Sequence, residues 1–480
     1  MIEIPLALTY DDVLLIPRRS SIASRRDVDT SSRLTRNLTL GVPIVSANMD
    51  TVTDARLAVA LAHEGGIGII HRFMTIDEEA AEVARVKRPE QVVVRDVHTT
   101  NPGRTIREAS LQMAQSEVSS LLVVDREGML LGIVTTRDLL FEENPERPIA
   151  EVMTGRDTLV TAPVGTGLEQ ARQILHERRL EKLPLIDEAG KLKGLVTSRE
   201  VLRHSSHPTA ARDTQGRLLV GAAIGAVGDY IERAEALVAA GVDVLVVDIA
   251  HGHAEHAIQA TREVKRRFPD VELVSGNVAT AEGTRDLIEA GADAVKVGVG
   301  PGAACTTRVV AGVGVPQLTA VLECVAEADR ANVPVIADGG VRMAGDIAKA
   351  MAAGAGTVMI GSLLAGTEES PGMTVVRGGA RYKVYRGSAS TAVAIDRLKR
   401  ERPSEDLDEL AAGVVPEGVE FVVPHKGTVA QVVHQLVGGL RSGMSYLNAR
   451  SMADLRANAR FVRITEAGWR ESLPRPADER

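Results

Sequence analysis

The chain has 480 residues, of which 44% are hydrophobic and only 2% aromatic, and its formal net charge is −8. It is longer than a typical single domain, and an aliphatic core suits parallel strands covered by helices. The acidic balance argues against nucleic-acid binding, and two cysteines cannot form a disulfide framework.

The first residues contain no basic region followed by a long apolar stretch, so the sequence indicates neither secretion nor a membrane span. We therefore expect a cytoplasmic protein. Residues 1–40 lack strong periodicity and are interpreted as a lead-in to the first domain.

From residue 42 onward, short apolar runs alternate with helical patterns. A strand at 43–47, a helix at 55–64, a strand at 66–70 and a helix at 76–86 are predicted first. The rhythm stops there and resumes near residue 217. Later strands are predicted at 218–224, 244–248, 272–275, 294–297, 334–338 and 357–361, with helices such as 230–240, 280–290 and 344–353 between them. Eight strands alternating with helices predict an α/β fold, a parallel (β/α)8 TIM barrel, and a doubly wound open sheet is the alternative.

The interruption, residues 91–208, contains an internal repeat with a constant offset of 62 residues. The matching pairs are Asp125 and Asp187, Gly128 and Gly190, Gly132 and Gly194, Thr135 and Thr197, and Arg137 and Arg199. Each copy predicts a hairpin followed by a helix start, and the pair resembles a tandem CBS domain with repeats at about 91–146 and 147–208. Residues 1–90 and 209–480 then form the two parts of the barrel.

Tandem CBS domains commonly bind adenine or guanine nucleotides. The resemblance therefore implies a regulatory nucleotide site at Thr135, Asp138, Thr197 and Glu200. A structural spacer is the alternative interpretation.

A glycine-rich loop at residues 296–308 carries Cys305, one of the two cysteines. Glycines at such a strand end let the backbone approach a ligand closely. Two threonines and Arg308 follow the thiol, and hydroxyls with a fixed positive charge favour a nucleophilic thiolate. An inert core cysteine is the alternative.

Polar residues follow three other predicted strands of the barrel. Asp338 precedes a Gly-Gly pair and can hold a ribose diol, whereas the Gly361-Ser362 amides can hold a phosphate. Asp248 ends a further strand. Together these residues predict a site for a nucleoside monophosphate.

Three histidines, His251, His253 and His256, invite a zinc interpretation. No cysteine or paired carboxylate lies nearby in sequence to complete a tetrahedral set of ligands. Polar residues at the rim of the barrel are therefore the favoured interpretation.

Several motifs together resemble the IMP dehydrogenase and GMP reductase family over nearly the whole chain. They are residues 8–17, Asn48-Met-Asp-Thr-Val-Thr, Gly276-Asn-Val-Ala-Thr, the Cys305 loop, Ile336-Ala-Asp-Gly-Gly, residues 361–372, Tyr385-Arg-Gly and Gly438-Gly-Leu-Arg-Ser. The resemblance implies a barrel with a CBS pair inserted after its second helix. It also implies a purine mononucleotide substrate that forms a covalent adduct with Cys305 through purine C2.

The resemblance implies a role for each site residue. The catalytic residues are Cys305, Thr307, Glu417 and Asp248. The substrate contacts are Ser46, Met49, Asp338, Gly340, Gly361, Ser362, Tyr385, Gly387 and Ser388. A nicotinamide cofactor would contact Asp248, Ile249, Ala250, Asn277, Gly298 and Gly300, and the carbonyl oxygens of Gly300, Gly302 and Cys305 would bind potassium in members that use it. A homotetramer or octamer is also implied.

The segment after residue 366 is interpreted as a long irregular loop, and its charged part, 396–409, as a solvated helix or a flap. Dehydrogenases of the family carry an Arg-Tyr pair in this flap, with the arginine activating water. Here Leu398 follows Arg397, so the tyrosine is missing. Asn48 before Met49 and the stretch 423–427 are similar to reductases.

Two features depart from both branches, because Ala303 replaces a phosphate-binding serine and residues 388–390 differ from the usual base-binding motif. Our first hypothesis is an NADPH-dependent GMP reductase. An NAD-dependent IMP dehydrogenase is the second, and a catalytically weak nucleotide sensor is the third.

Overall fold

The computed structural model describes residues 4–88, 93–94, 97–116, 118–140, 142–198, 201, 207–401, 413 and 415–474. The chain separates into two compact units. One consists of Met1–Arg88 and Thr209–Arg480, and the other is Pro89–Pro208. No helix in the described part of the chain is both long enough and apolar enough to cross a bilayer.

The first unit is built on a closed barrel of eight parallel strands, which confirms the predicted barrel and excludes the open sheet. The strands are β1 (Ile44–Ser46), β2 (Ile67–Ile70), β3 (Val220–Ile224), β4 (Val244–Asp248), β5 (Glu272–Val278), β6 (Ala294–Val297), β7 (Val335–Asp338) and β8 (Thr357–Ile360). Successive strands pair in parallel, β2 pairs with β3, and β8 pairs with β1 to close the ring. All eight carboxyl ends therefore meet at one mouth.

Helices surround the barrel. They are α1 (Ala55–His63), α2 (Ile76–Lys87), α3 (Tyr230–Ala239), α4 (Glu255–Arg267), α5 (Ala281–Glu289), α6 (Gln317–Ala328), α7 (Ala344–Ala352) and α8 (Val429–Tyr446). The helices predicted at 55–64, 76–86, 230–240, 280–290 and 344–353 are confirmed, whereas α4, α6 and α8 were not predicted. Helix α2 begins with a capping box between Thr75 and Glu78, and α8 with one between Thr428 and Gln431. These reciprocal bonds satisfy backbone amides that have no partner within the helix.

Three helices end in the same way, with a glycine in the left-handed backbone conformation. Gly241, Gly291 and Gly354 follow α3, α5 and α7 with φ angles of 90°, 105° and 104°. A left-handed residue at this position ends a helix, and glycine adopts it without a Cβ penalty. The chain then re-enters a strand within a few residues.

The barrel strands are apolar almost throughout because both of their faces are covered. All of β3, β6 and β8 is buried. Lys296 in β6 differs from its apolar neighbours, because its side chain is charged and yet the residue has a relative exposure of only 1%.

The described residues after residue 366 form strands and helices, so for them the interpretation as an irregular loop is wrong. Strands β9 (Thr374–Arg377), β10 (Ala380–Arg386) and β11 (Glu420–Pro424) form an antiparallel sheet. A helix, Thr391–Glu401, lies between β10 and β11 in sequence. Residues 402–412 and 414 of the charged segment, like Glu200, lie outside the described residues.

The described residues of the second unit form two four-stranded sheets, and each sheet combines three strands of one repeat with one short strand of the other. The first holds Thr99–Thr100, Ser120–Val124, Leu130–Thr135 and Thr154–Gly155, and the second holds Val93–Val94, Ala162–Pro163, Lys182–Ile186 and Leu192–Thr197. The amide of Leu130 donates to the carbonyl of Gly190 (3.2 Å), and that of Leu192 donates to Gly128 (3.1 Å). These two bonds are related by the 62-residue offset, so the two turns pair symmetrically.

Candidate active site

A cavity of about 430 Å³ lies at the carboxyl ends of the barrel strands. The predicted site residues of the barrel line this cavity, with one exception. Those that line it are Met49, Asp248, Ile249, Ala250, Asn277, Gly298, Gly300, Gly302, Cys305, Thr307, Asp338, Gly340, Gly361, Ser362, Tyr385, Gly387, Ser388 and Glu417. The exception is Ser46, which is fully buried and accepts a hydrogen bond from the Thr53 hydroxyl (2.7 Å). Ser46 therefore serves the packing beneath the mouth instead of facing a ligand.

The Cys305 loop is held open by Arg308. Its Nε donates to the carbonyl of Val299 (3.3 Å) and a terminal nitrogen donates to that of Val315. Gly300 adopts a φ of 86° beside it, and a Cβ there would lie 2.5 Å from the Arg308 side chain. Glycine at position 300 thus leaves space for the Arg308 side chain, whose hydrogen bonds to two backbone carbonyls hold the loop in place.

A chain of three polar groups connects the half-buried Cys305 to Glu417. The Cys305 Sγ lies 3.2 Å from the Thr307 hydroxyl, which donates to Oε2 of Glu417 at 2.7 Å. A hydroxyl has one donor and two acceptor positions, so Thr307 can accept from one neighbour while donating to the other. The arrangement suits proton transfer next to a nucleophile.

Backbone hydrogen bonds hold the segment that bears Glu417 next to the Cys305 loop. The amide of Thr306 donates to the carbonyl of Glu417 (2.8 Å), and the amide of Val419 donates to that of Ala304 (3.0 Å). Residues 417–419 therefore lie antiparallel to the Cys305 loop. This pairing was beyond the reach of the sequence pattern, because it joins segments that are distant along the chain.

A buried charge cluster lies at the base of the cavity, around Lys296, which the sequence prediction missed. Its ammonium donates to Asp248 (2.6 Å), Asp338 (2.9 Å) and the Asn277 carbonyl oxygen. Burial opposes the charge on Lys296, but the two aspartates prevail and raise its pKa. Burial also opposes ionisation of Asp248, yet Lys296 and the amide of Asn48 (2.9 Å) hold its pKa below the usual range.

Glycine and serine residues form the wall expected at the phosphate. Gly339 and Gly340 have φ angles of 90° and 82°, and Ser362 begins a short helix, Ser362–Ala365. Ala303 is exposed on the cavity lining and offers only a methyl group. Hydroxyl donors at the cavity wall therefore come from residues such as Ser362 and Ser388.

Tyr385 borders the same wall from strand β10. Its ring packs edge-on against Phe421 at 5.3 Å, and a Cβ on Gly361 would lie 2.8 Å from its hydroxyl. Burial, with smaller contributions from Asp338 and Cys305, raises the pKa of Tyr385. The phenol therefore stays protonated and can donate a hydrogen bond.

The helix Thr391–Glu401, which we call the flap helix, is bound to the barrel unit through Arg386. Its guanidinium binds Asp50 (2.8 Å from Nε) and Asp396 (3.2 Å). The side chain of Arg397 lies outside the part of the structure that is described. Ala389, two residues before this helix, lines the cavity, so the helix begins next to it.

The histidine cluster is not arranged as a metal site. His253 Nε2 lies 2.8 Å from Asp286, and the rings of His251 and His253 are 6.4 Å apart. Among the described residues, no group of three or more His, Cys, Asp or Glu side chains is placed to hold a metal ion.

The predicted nucleotide site of the second unit is described only in part. The Asp138 carboxylate accepts hydrogen bonds from the hydroxyl and the amide of Thr135, both at 2.8 Å, and so caps its own helix. Lys182 of the second repeat donates to the hydroxyl of Ser119 in the first (2.9 Å). Burial lowers the pKa of Lys182.

Comparison with known proteins gives one consistent result. A family model described as IMP dehydrogenase / GMP reductase domain matches residues 7–475. The inosine-5′-monophosphate dehydrogenases of Nitrosopumilus maritimus and Aquifex aeolicus are 50% and 52% identical over 472 residues, covering 98% of this chain and 98% and 95% of theirs. The crystal structure of a cysteine-to-alanine variant of GMP reductase from Trypanosoma brucei, in complex with guanosine 5′-monophosphate, matches with a TM-score of 0.86 and 45% identity over 98% of both chains.

Proposed function

The chain belongs to the IMP dehydrogenase and GMP reductase family, and from this premise we propose that it reduces GMP to IMP with NADPH and releases ammonia. Members of this family are oxidoreductases that act on purine mononucleotides with a nicotinamide cofactor. The choice between the two reactions depends on residues of this chain, because its relatives carry both names at similar identity.

The observation that carries the proposal is a flap that lacks the Arg-Tyr pair. The Cys305, Thr307 and Glu417 chain supplies what a reductase requires, although Glu417 also occurs in dehydrogenases and does not by itself separate the two reactions. Hydrolysis of the adduct requires an activated water, for which the family's dehydrogenases use that pair. Release of ammonia requires instead a proton donor next to the sulfur. The inserted unit does not argue against a reductase, since the trypanosomal GMP reductase is matched over 98% of both chains.

In the proposed reaction, the Cys305 sulfur forms a bond to C2 of GMP. As this bond forms, the thiol proton passes through Thr307 to the Glu417 carboxylate. The bond from C2 to the exocyclic nitrogen then breaks, and the proton returns through Thr307 to the departing amine. Addition of a hydride at C2 and rupture of the C2–S bond give IMP and the Cys305 thiolate, which takes up a proton from solvent. A nicotinamide bound at this site would supply the hydride.

The residues expected at the cofactor fit a nicotinamide. Ile249 and Ala250 offer apolar surface beside the oxygens of Asp248 and Asn277, which suits a ring that carries a carboxamide. Potassium would be held by the carbonyl oxygens of Gly300, Gly302 and Cys305. The Gly302 carbonyl already accepts from the Cys305 amide (3.0 Å) and retains a second lone pair.

IMP dehydrogenase is the second candidate, favoured by the names of the curated relatives at about half identity. One pair of assays separates the two. Purified protein is incubated with GMP and NADPH, and separately with IMP and NAD, while nicotinamide absorbance is followed. GMP-dependent oxidation of NADPH supports the reductase, formation of XMP overturns it, and silence in both assays favours a nucleotide sensor.

We also propose that the second unit binds an adenine or guanine nucleotide near Thr135, Asp138, Thr197 and Glu200. The symmetric pairing of its two turns supports this, since it makes the repeats equivalent. Deletion of residues 91–208 is expected to abolish any effect of ATP or GTP on turnover while retaining the reaction itself. An unchanged nucleotide effect in the deleted protein would overturn the proposal.

A further inference from the structure

Lys296 joins four neighbouring strands of the barrel at its mouth. It lies on β6, and its three partners come from β4 (Asp248), β5 (Asn277) and β7 (Asp338). An ammonium group has three donors, and each of the three is used. The side chain is 2% exposed, so the ammonium is directed entirely at these partners.

Among the described residues, only members of this cluster bind the carboxylate of Asp338. Its Oδ2 accepts from Lys296 (2.9 Å) and from the Asn277 amide (2.9 Å). No donor from the described residues binds Oδ1, which leaves that oxygen available to a ligand. The backbone of Asp338 is held separately, since its carbonyl accepts from Gln317 (3.1 Å). Loss of Lys296 would therefore remove one of the two hydrogen bonds that orient the carboxylate, and the only one from a charged donor, without releasing the strand end.

We propose that Lys296 is a positioning residue that orients Asp338 toward the ribose hydroxyls of the nucleotide and Asp248 toward the cofactor. The inference rests on the proposed function for the identity of both ligands. It goes beyond that function, because it assigns a role to Lys296, whose side chain does not touch the reacting atoms of the substrate or the cofactor. One cation then sets the geometry of the substrate side and the cofactor side together.

A second buried lysine provides a matched control. Lys87 is 3% exposed and bridges Asp213 (3.0 Å) and Asp243 (2.6 Å). Asp243 directly precedes β4, whereas Asp248 ends it, so the two lysines act at opposite ends of the same strand. Lys87 does not line the cavity.

The test measures binding of nucleotides without turnover, by calorimetry, in the full-length protein. GMP is compared with 2′,3′-dideoxy-GMP, which lacks the ribose hydroxyls, in the unaltered protein, Lys296→Met and Lys87→Met. We expect Lys296→Met to weaken GMP binding about tenfold, as loss of one charge-assisted hydrogen bond would, and dideoxy-GMP binding less than about twofold. Lys87→Met is expected to melt at a lower temperature with both affinities unchanged.

Equal weakening of both nucleotides in Lys296→Met, or weakening of neither, would overturn the inference while leaving the proposed function intact. If the unaltered protein binds neither GMP nor IMP, the proposed function fails, and the assignment of Asp338 to ribose fails with it. Should Lys296→Met not fold, Lys296→Gln serves in its place, since its polar amide is tolerated next to the carboxylates but lacks the positive charge that orients both of them. A GMP preference equal to that of the unaltered protein in this variant would also overturn the inference.

Discussion

The Thr307 hydroxyl donates a hydrogen bond to the Glu417 carboxylate at 2.7 Å, although the two residues are 110 positions apart in the chain. Replacing Thr307 by valine keeps the shape and removes the relay. We expect turnover of GMP to fall by about 10²- to 10⁴-fold, the usual contribution of a positioned acid, with GMP affinity unchanged. Steady-state kinetics and calorimetry measure the two quantities.

The neighbouring Thr306 supplies a control for that variant. Its side chain makes no capping hydrogen bond and does not line the cavity. Thr306→Val is therefore expected to retain turnover, and an equal loss in both variants would argue for a general disturbance of the loop.

Replacing Cys305 by serine is expected to abolish turnover and preserve GMP binding, because a hydroxyl is a weak nucleophile at neutral pH. The matched variant is Cys324→Ser. Cys324 is fully buried, and burial raises its pKa to about 12, so it is an inert thiol. Iodoacetamide should label Cys305 alone, as read by mass spectrometry of peptides, and GMP should protect it. Turnover by Cys305→Ser would exclude the covalent route.

Gly298→Ala is expected to lower both stability and GMP affinity. A Cβ at this position, where φ is 153°, would lie 2.0 Å from the carbonyl oxygen of Asp338. The backbone conformation alone costs more than about 1 kcal/mol, and the clash displaces the strand end that bears Asp338. Thermal melting and calorimetry test this. Gly345→Ala, in helix α7 with no atom within 4 Å of its Cβ, should be neutral or stabilising by about 0.5–1 kcal/mol.

The pH dependence of stability follows from the Lys296 and Asp248 pair. The pKa of Lys296 is raised, so its contribution is present below the unfolded value of about 10.4 and is lost as the pH rises through the folded value. The pKa of Asp248 is lowered, so its contribution is present above about 3.9 and is lost as the pH falls through the folded value. The stabilisation is therefore constant between about pH 5 and 9.

Lys296→Met should accordingly lose about 3–5 kcal/mol of stability, the cost of removing one partner from a buried ion pair. The deficit should be the same at pH 6 and pH 8.5 and smaller in strong acid. Denaturant unfolding at several pH values measures it. A deficit that vanishes anywhere between pH 6 and pH 8.5 would contradict this electrostatic account.

The barrel was predictable because each of its strands has a local sequence pattern, which is an apolar run that ends in a polar residue or glycine. Asp248 and Asp338 were found in this way, since strand ends converge at one mouth in any parallel barrel. Lys296 was missed for the same reason. It stands inside an apolar run, where a single charge gives no local sign of the partners that its side chain finds on neighbouring strands.

Two other differences arise from tertiary packing. Ser46 ends a strand, as the site residues do, but its buried hydroxyl accepts a hydrogen bond from the Thr53 hydroxyl. In the sheet of β9, β10 and β11, the β9–β10 hairpin turns at Gly378-Gly379, a local signal that the sequence analysis did not use, whereas β11 pairs with β10 only after the long flap segment. Pairing between segments that are distant in sequence leaves no periodic signal in either of them.

The two ends of the flap segment, residues 390–417, lie next to each other at the barrel mouth. The amide of Gly387 donates to Val419 (3.0 Å) and that of Glu417 donates to Ala389 (3.1 Å), so its two ends are fastened to each other. Because the ends already meet, adding or removing residues between them changes loop-closure entropy by only about 0.6 kcal/mol per doubling of length. The segment between residues 390 and 417 can therefore be exchanged for that of another family member as a cassette, while the thiol and its acid keep their spacing.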